Sequence, residues 1–351
     1  MFVLQSYPLA VVLCLITMLC WGSWANTQKL AGRTWRFELY YWDYVLGVLL
    51  MSVAFALTLG SWGSSGRAFL ADLAQADPGS LVSAFLGGVV FNAANILLVA
   101  AIAIAGMSVA FPVGIGLALV LGVLINYVAE RAADPVLLFL GVALVTAAIV
   151  LDALAYRTLP GQKAGGGTKG LVLSVACGIL MSLFYFLVAR SMAKVELADG
   201  SVVPVTVEHL QQGTLQAGKL TCYTANVVFA GGMLLSNFLL NTLIMLKPFE
   251  GEPIPLARYF QGSFRDHLWG IVGGCIWAVG MTLNLVALNV ASPAVSYGLG
   301  QGATMVAAVW GVFIWREFRE APSKTAVLLW LMFAGYLVGL GLIVVARTQG
   351  A

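Results

Sequence analysis

Thr17, Trp21 and Trp24 stand at i, i+4 and i+7, the spacing that lines three side chains along one face of a helix. Gly178, Ser182 and Tyr185 repeat it, as do Trp277, Met281 and Asn284, and Tyr297, Gln301 and Thr304. Asn92 and Asn95 add two amides three residues apart. Flat aromatic faces beside amide donors and acceptors are the chemistry of recognition, suited to a sugar ring or a planar heterocycle. The chemistry of bond cleavage is missing. No Cys-x-x-Cys or His-Glu-x-x-His occurs, and His209 and His267 lie far apart, so neither a metal site nor a resident cofactor is expected. Cys14, Cys20, Cys177, Cys222 and Cys275 all sit in or beside apolar runs and read as small packing residues. An intramembrane enzyme would need a nucleophile–base pair or metal ligands at depth, and neither is found.

The elements that carry these residues are set by composition. Of 351 residues, 61% are hydrophobic and 9% charged, against about 25% charged in a soluble domain. Mean hydropathy is +0.95. Disorder, a coiled coil and a secreted disulfide scaffold are excluded. A net charge of +3 without a dense basic stripe excludes a nucleic-acid partner. The partner is the lipid bilayer. A bilayer core about 30 Å thick takes about 20 apolar residues as helix. Such runs recur at 8–25, 43–60, 81–105, 107–128, 136–154, 170–190, 222–246, 267–290, 292–314 and 325–346. The expected fold is all-α, integral and multi-pass, with ten transmembrane helices. Met1 to Tyr7 holds no Lys or Arg, so the first run reads as a retained helix rather than a signal peptide. Tight hairpins are expected at Gly106-Met107-Ser108 and Ala291-Ser292-Pro293.

Lys and Arg are unevenly spread. The loops after runs 1, 5, 7 and 9 hold twelve, and the opposite side holds six. That bias places both termini outside, in a bacterial cytoplasmic membrane. The chain also repeats itself. Residues 108–116 and 294–302 align at an offset of 186, with Pro112, Gly114 and Gly116 facing Gly298, Gly300 and Gly302. Each stretch follows a helix carrying an asparagine, Asn95 or Asn284. The chain therefore reads as two five-helix repeats, 1–158 and 170–351, joined by a Gly-rich linker at 159–169. Five is odd, so the second repeat is inverted, as in many secondary transporters. The matched glycines and proline read as helix interruptions beside a midplane site, or as plain close packing.

Asp43, Glu130, Asp152, Arg190, Arg316 and Glu317 lie at helix ends, which leaves only neutral polar groups at depth. A small neutral solute fits that lining. Gln301, between two glycines, reads as solute-facing. Trp21 and Trp24 stack on the solute or anchor at the interface. Asn226, Asn237 and Asn241 suit either the solute or a neighbouring helix. Tyr40-Tyr41-Trp42-Asp43-Tyr44 reads as an interfacial belt, with a gate as the alternative. Coupling to H+ or Na+ is left open; Glu38 and Asp43 are its candidate carriers. The stretch 161–170 resembles a phosphate loop but lacks Gly-Lys-Ser/Thr, so it reads as a linker. The longest loop, 191–221, caps the outer mouth or has no specific role.

Three stretches resemble known transporters. Cys20-Trp21-Gly22-Ser23-Trp24 resembles the start of the glucose/ribose porters and of the rhamnose transporter. Asn95 followed by Leu124-Ile125-Asn126-Tyr127-Val128-Ala129-Glu130-Arg131 resembles the plant ureide permeases and their bacterial relatives. Ser296-Tyr297-Gly298-Leu299-Gly300-Gln301-Gly302 is similar to bacterial members of that branch. Together they resemble the drug/metabolite transporter superfamily. The resemblance implies secondary active transport, often with protons, of sugars or neutral nitrogen-rich heterocycles. The long Walker-like loop of the plant permeases has no counterpart here. The resulting expectation is a carrier for a small neutral solute, a sugar first, working as monomer or homodimer. A ureide- or nucleobase-like heterocycle permease, or an exporter of drugs and metabolites, is the alternative. Trp21, Trp24, Tyr185 and Trp277 would stack on the solute; Asn92, Asn95, Asn284, Tyr297, Gln301 and Thr304 would bond it.

Overall fold

The structure is a computed structural model that describes residues 1–31, 35–159, 167–249 and 251–349. Ten helices have the length and apolarity to cross a membrane. They are α1 (Tyr7–Ala31), α2 (Phe37–Leu57), α3 (Pro78–Ala105), α4 (Met107–Ala110 continuing through Phe111–Ile115 and Gly116–Ala129) and α5 (Pro135–Tyr156). Then follow α6 (Gly167–Ser191), α7 (Cys222–Leu246), α8 (Phe264–Ala291), α9 (Pro293–Ile314) and α10 (Ser323–Gln349). Helix is forced, because a backbone polar group in hydrocarbon must find its partner within the segment. Starts are written locally. Asp77, Asp134 and Thr221 each accept a backbone N–H in the first turn of α3, α5 and α7, and Ser263 with Asp266 forms a capping box on α8. The N–H of Ser80 holds the Asp77 carboxyl below the usual carboxylate range.

One short sheet stands beside the helices. The loop 191–221 folds three short antiparallel strands, β1 (Val195–Leu197), β2 (Val202–Val203) and β3 (Gly213–Leu215), in the order β2-β1-β3. The turn between β1 and β2 needs Gly200 at φ 82°. Arg67 pins the sheet from below. It donates to the carbonyls of Leu215, Gln216 and Lys219 and pairs with the buried Asp72. The linker expected at 159–169 lies mostly outside the described residues, as do Arg33 and Lys163.

Packing follows the internal repeat. α3 lies along α6 as α1 lies along α8; α2 crosses α8 as α3 crosses α7; α5 pairs with α10. The crossings match residue by residue. A Cβ on Gly274 would strike the Tyr44 carbonyl, and one on Gly88, 186 positions earlier, would strike the Phe229 carbonyl. Gly47 meets Ile271 across the first crossing, and Gly232 meets Phe85 across the second. Both hairpins form where expected, with the same backbone: Gly106 at φ 78°, ψ 165° and Ser292 at φ 75°, ψ 156°. That region belongs to glycine, so Ser292 is strained, and its buried hydroxyl has no partner.

Ser292→Gly should therefore stabilise the protein by about 1 kcal/mol, read as a higher unfolding temperature in detergent. Leucine at Gly88 or Gly274 should abolish monodisperse protein on size exclusion. Leucine at Gly231, where a Cβ meets nothing within 4 Å, should not.

Candidate functional site

A cavity of about 260 Å³ opens between α1, α3, α4, α6, α8 and α9. α1 contributes Trp21, Trp24 and Gln28; α3 contributes Phe91 and Asn95; α4 contributes Phe111 and Ile115. Met181 and Phe184 come from α6, Trp277 from α8, and Gly300, Gln301 and Thr304 from α9. The helices are irregular at this place. α1 tightens at Trp24, where the Thr27 N–H bonds the Trp24 carbonyl, α4 carries a π turn over Phe111–Ile115, and α9 switches to three-residue hydrogen bonds around Gln301 and Gly302 with its dihedrals still right-handed. The last two lie 186 positions from Ile115 and Gly116; of the expected interruption residues, Gly298 and Gly300 lie in regular helix.

The base of the cavity is aromatic. Phe91 and Trp277, themselves 186 positions apart, touch with centroids at 4.6 Å. Trp21 stacks on Trp277 at 5.8 Å and 13°, and its indole N–H donates to the Trp277 carbonyl at 3.2 Å. Phe229 backs Trp277 from behind at 5.8 Å. Gly300 permits this layer, since a Cβ there would sit 2.7 Å from the Trp21 ring. Trp24 lies on Tyr44 at 4.7 Å.

Four polar side chains face this surface. Asn95 donates to the Tyr41 hydroxyl at 3.1 Å, which leaves its carbonyl oxygen for another partner. Thr304 donates to the Gln301 carbonyl at 2.9 Å and accepts from Tyr336 at 2.7 Å. Among the described residues, the side-chain amides of Gln28 and Gln301 bond to nothing. Each offers two donors and one acceptor.

Trp21, Trp24, Asn95, Trp277, Gln301 and Thr304 thus come together as the sequence suggested. Asn92, Tyr185, Asn284 and Tyr297 do not join them. Asn92 donates to Ser236 at 2.9 Å and so ties α3 to α7. The other three form a seal two helical turns beyond the aromatic layer, towards the face that carries the sheet. Tyr185 donates to Asn284 at 2.6 Å; Asn284 and Ser296 bond reciprocally; Tyr297 reaches the carbonyls of Ala118 and Met181 at 3.2 Å. Their chemistry matches that of the lining residues, but their hydrogen bonds are already used between helices. Gly300 alone of the six interruption residues lines the cavity. Pro112 and Gly114 lie within the π turn of α4 and Gly116 begins the helix after it; Gly298 packs against α4 and α10, and Gly302 against α1 and α10.

Two of the three α7 asparagines bond neighbouring helices. Asn226 donates to Ser52 and Thr282, and Asn241 to the Glu38 carbonyl; Asn237 is buried without a side-chain partner. The tyrosine cluster is no interfacial belt. Tyr40, Tyr41 and Tyr44 are fully buried, because α2 is enclosed by α1, α7 and α8. Glu38 pairs with Arg36. Asp43 bonds His267 at 2.9 Å and accepts from Tyr259, whose phenol burial raises above its usual range and so keeps as a donor.

Gln28, Phe91, Phe111, Ile115, Met181 and Phe184 were not found from sequence. Gln28 extends the Trp21–Trp24 face by one turn, beyond the point where the apolar run ends. The others are apolar in an apolar chain, and the repeat was their only signal: Phe91 matches Trp277 and Ile115 matches Gln301.

Asn284→Ala should cost about 1–3 kcal/mol by stranding the Tyr185 hydroxyl and Ser296. A drop in unfolding temperature would register it, with far-ultraviolet circular dichroism of a monodisperse sample confirming the helical fold.

Known proteins share this architecture. One crystal structure superposes with a TM-score of 0.57 over 97% of this chain and 99% of its own, at 16% identity, which shows a common fold. The ureide permease family model matches residues 40–162. Ureide permease 1 of Arabidopsis thaliana is 24% identical over 98% of both chains. Ureide permease 4 of the same plant is 23% identical over 98% of both, and ureide permease 2 is 23% identical over 95% of both. The chain is an integral, multi-pass membrane protein similar to the ureide permeases along its whole length.

Proposed function

We propose that this protein is a permease for a small, neutral, nitrogen-rich heterocycle of the ureide or nucleobase kind. The observation that carries it is the pair of unpartnered amides, Gln28 and Gln301, facing an aromatic layer in a cavity with no ionised side chain. A ureide presents flat N–H and C=O groups in alternation. An amide side chain answers both at once. A sugar would need more polar groups than four side chains supply around its rim of hydroxyls. The end-to-end likeness to ureide permeases supports the heterocycle over the sugar first expected. A volume below the roughly 300–1,000 Å³ of drug-sized sites argues against a broad exporter.

Movement would be by alternating access between the halves 1–158 and 170–351. The cavity lies towards the ends of α1, α3 and α9, away from the sheet, and the seal closes the other side. With the termini outside, as the Lys and Arg bias suggests, this conformation faces the cytosol of a cytoplasmic membrane. A place in the wider drug/metabolite transporter superfamily is part of the same reading.

Proteoliposomes holding the purified protein should take up labelled allantoin or uracil and leave glucose, ribose and rhamnose outside. Gln28→Ala and Gln301→Ala should each lose at least about tenfold in uptake while remaining folded in the membrane, since each strands polar groups of the solute. Uptake of a sugar alone, or undiminished uptake by Gln301→Ala, would sink the proposal.

A further inference from the structure

The acids expected to carry a coupling ion are occupied. Glu38 is held by Arg36, and Asp43 by His267 and Tyr259. Asp152 is different. It lies in the last turns of α5, 5% exposed, with no ionic partner among the described residues and with Oδ1 bonded to nothing. A bare carboxylate in that position costs several kcal/mol. Among the described residues no basic side chain pairs with it, which leaves room for a compensating charge from solution.

Its surroundings connect it in two directions. One turn further along α5, Tyr156 donates to Glu317 at 3.1 Å. Glu317 also takes Lys29 at 2.8 Å, and its side chain is 30% exposed, so this end reaches water. Towards the cavity, α10 closes on α5 at Gly335, where a Cβ would sit 3.3 Å from that of Ala148. The next residue, the buried Tyr336, donates to Thr304, which lines the cavity. Asp152 lies one turn from Tyr156 along α5 and one turn from Ala148, the point where α10 and so Tyr336 approach.

We propose that Asp152 is a cation site coupled to the solute cavity, taking one monovalent cation, a proton or a sodium ion, by way of Glu317. Loading neutralises the carboxylate without any covalent change beyond protonation. Tyr336 and Thr304 carry the difference between loaded and empty states to the Gln301 backbone. This rests on the transport reading above, so its test separates the two.

The probe is labelled allantoin, with full-length protein in proteoliposomes. Exchange is measured with equal ions on both sides, and accumulation under an inward pH gradient and, separately, an inward sodium gradient. Wild type should accumulate under one of them, which names the cation. Asp152→Asn should exchange within about twofold of wild type yet lose at least about tenfold of gradient-driven accumulation, and Asp152→Glu should recover it. Accumulation by Asp152→Asn at the wild-type level overturns the inference. So does a wild type that exchanges allantoin but responds to neither gradient. A wild type that exchanges no allantoin defeats the solute reading instead. Dicyclohexylcarbodiimide, which adds to protonated carboxyls in apolar surroundings, then judges the cation site alone, as it does if Asp152→Asn fails to fold. An adduct mapped to Asp152 by mass spectrometry, and suppressed by raised pH or by sodium chloride, supports the site; no adduct at Asp152 overturns it.

Discussion

Helices in lipid are not pushed together by water, so their contact depends on how closely two backbones approach. Here the approach is made twice, where α2 meets α8 and where α3 meets α7. At both crossings glycines bring one helix backbone against the other. Everything else in the molecule is arranged about these two contacts. They set α3 and α8 across the middle, and those helices carry Phe91 and Trp277 into contact. The aromatic layer between the halves follows directly from the absence of four β-carbons.

Polar groups at membrane depth then divide by what they have already bonded. Asn284 and Tyr297 spend their hydrogen bonds on neighbouring helices, and the Nδ2 groups of Asn92 and Asn226 do the same while their carbonyl oxygens stay without a partner. Gln28 and Gln301 keep theirs. The two groups are chemically alike, and only position separates them. Residues on the cavity side of the aromatic layer are left open by the irregular helices α1 and α9, and those beyond it are drawn into the seal. Satisfied amides stabilise one conformation, whereas unsatisfied ones are available to a solute.

Much of this was legible in the sequence, for physical reasons. Spans announce themselves because charge is excluded from hydrocarbon, and the hairpins at Gly106 and Ser292 because no polar loop separates the runs. The repeat was visible at 186 residues because glycine and proline resist replacement by anything of another shape. The polar half-turns of α1 beyond Trp24 were not legible, since Asn26 and Lys29 look like loop. Nor was the sheet in 191–221, whose few valines give little strand signal and whose last strand is held by Arg67 from elsewhere in the chain. Helical spacing put Tyr185, Asn284 and Tyr297 each on a polar face of its own helix, but a face does not reveal whether a void or another helix lies opposite.

The seal is also where the two halves part company. Tyr297 and Phe111 are counterparts 186 positions apart. One is locked between carbonyls on the closed side, and the other borders the open cavity. Phenylalanine has no hydroxyl to lock, so the mirror-image closure cannot be built with equal strength. A phenol has one proton to share between those carbonyls, so at about 1 kcal/mol for the missing hydrogen bond the resting population is biased roughly fivefold. On the transport reading, the direction in which an empty carrier waits is then a property of side-chain asymmetry laid over a symmetric frame. A solute must supply that free-energy difference before the frame will turn.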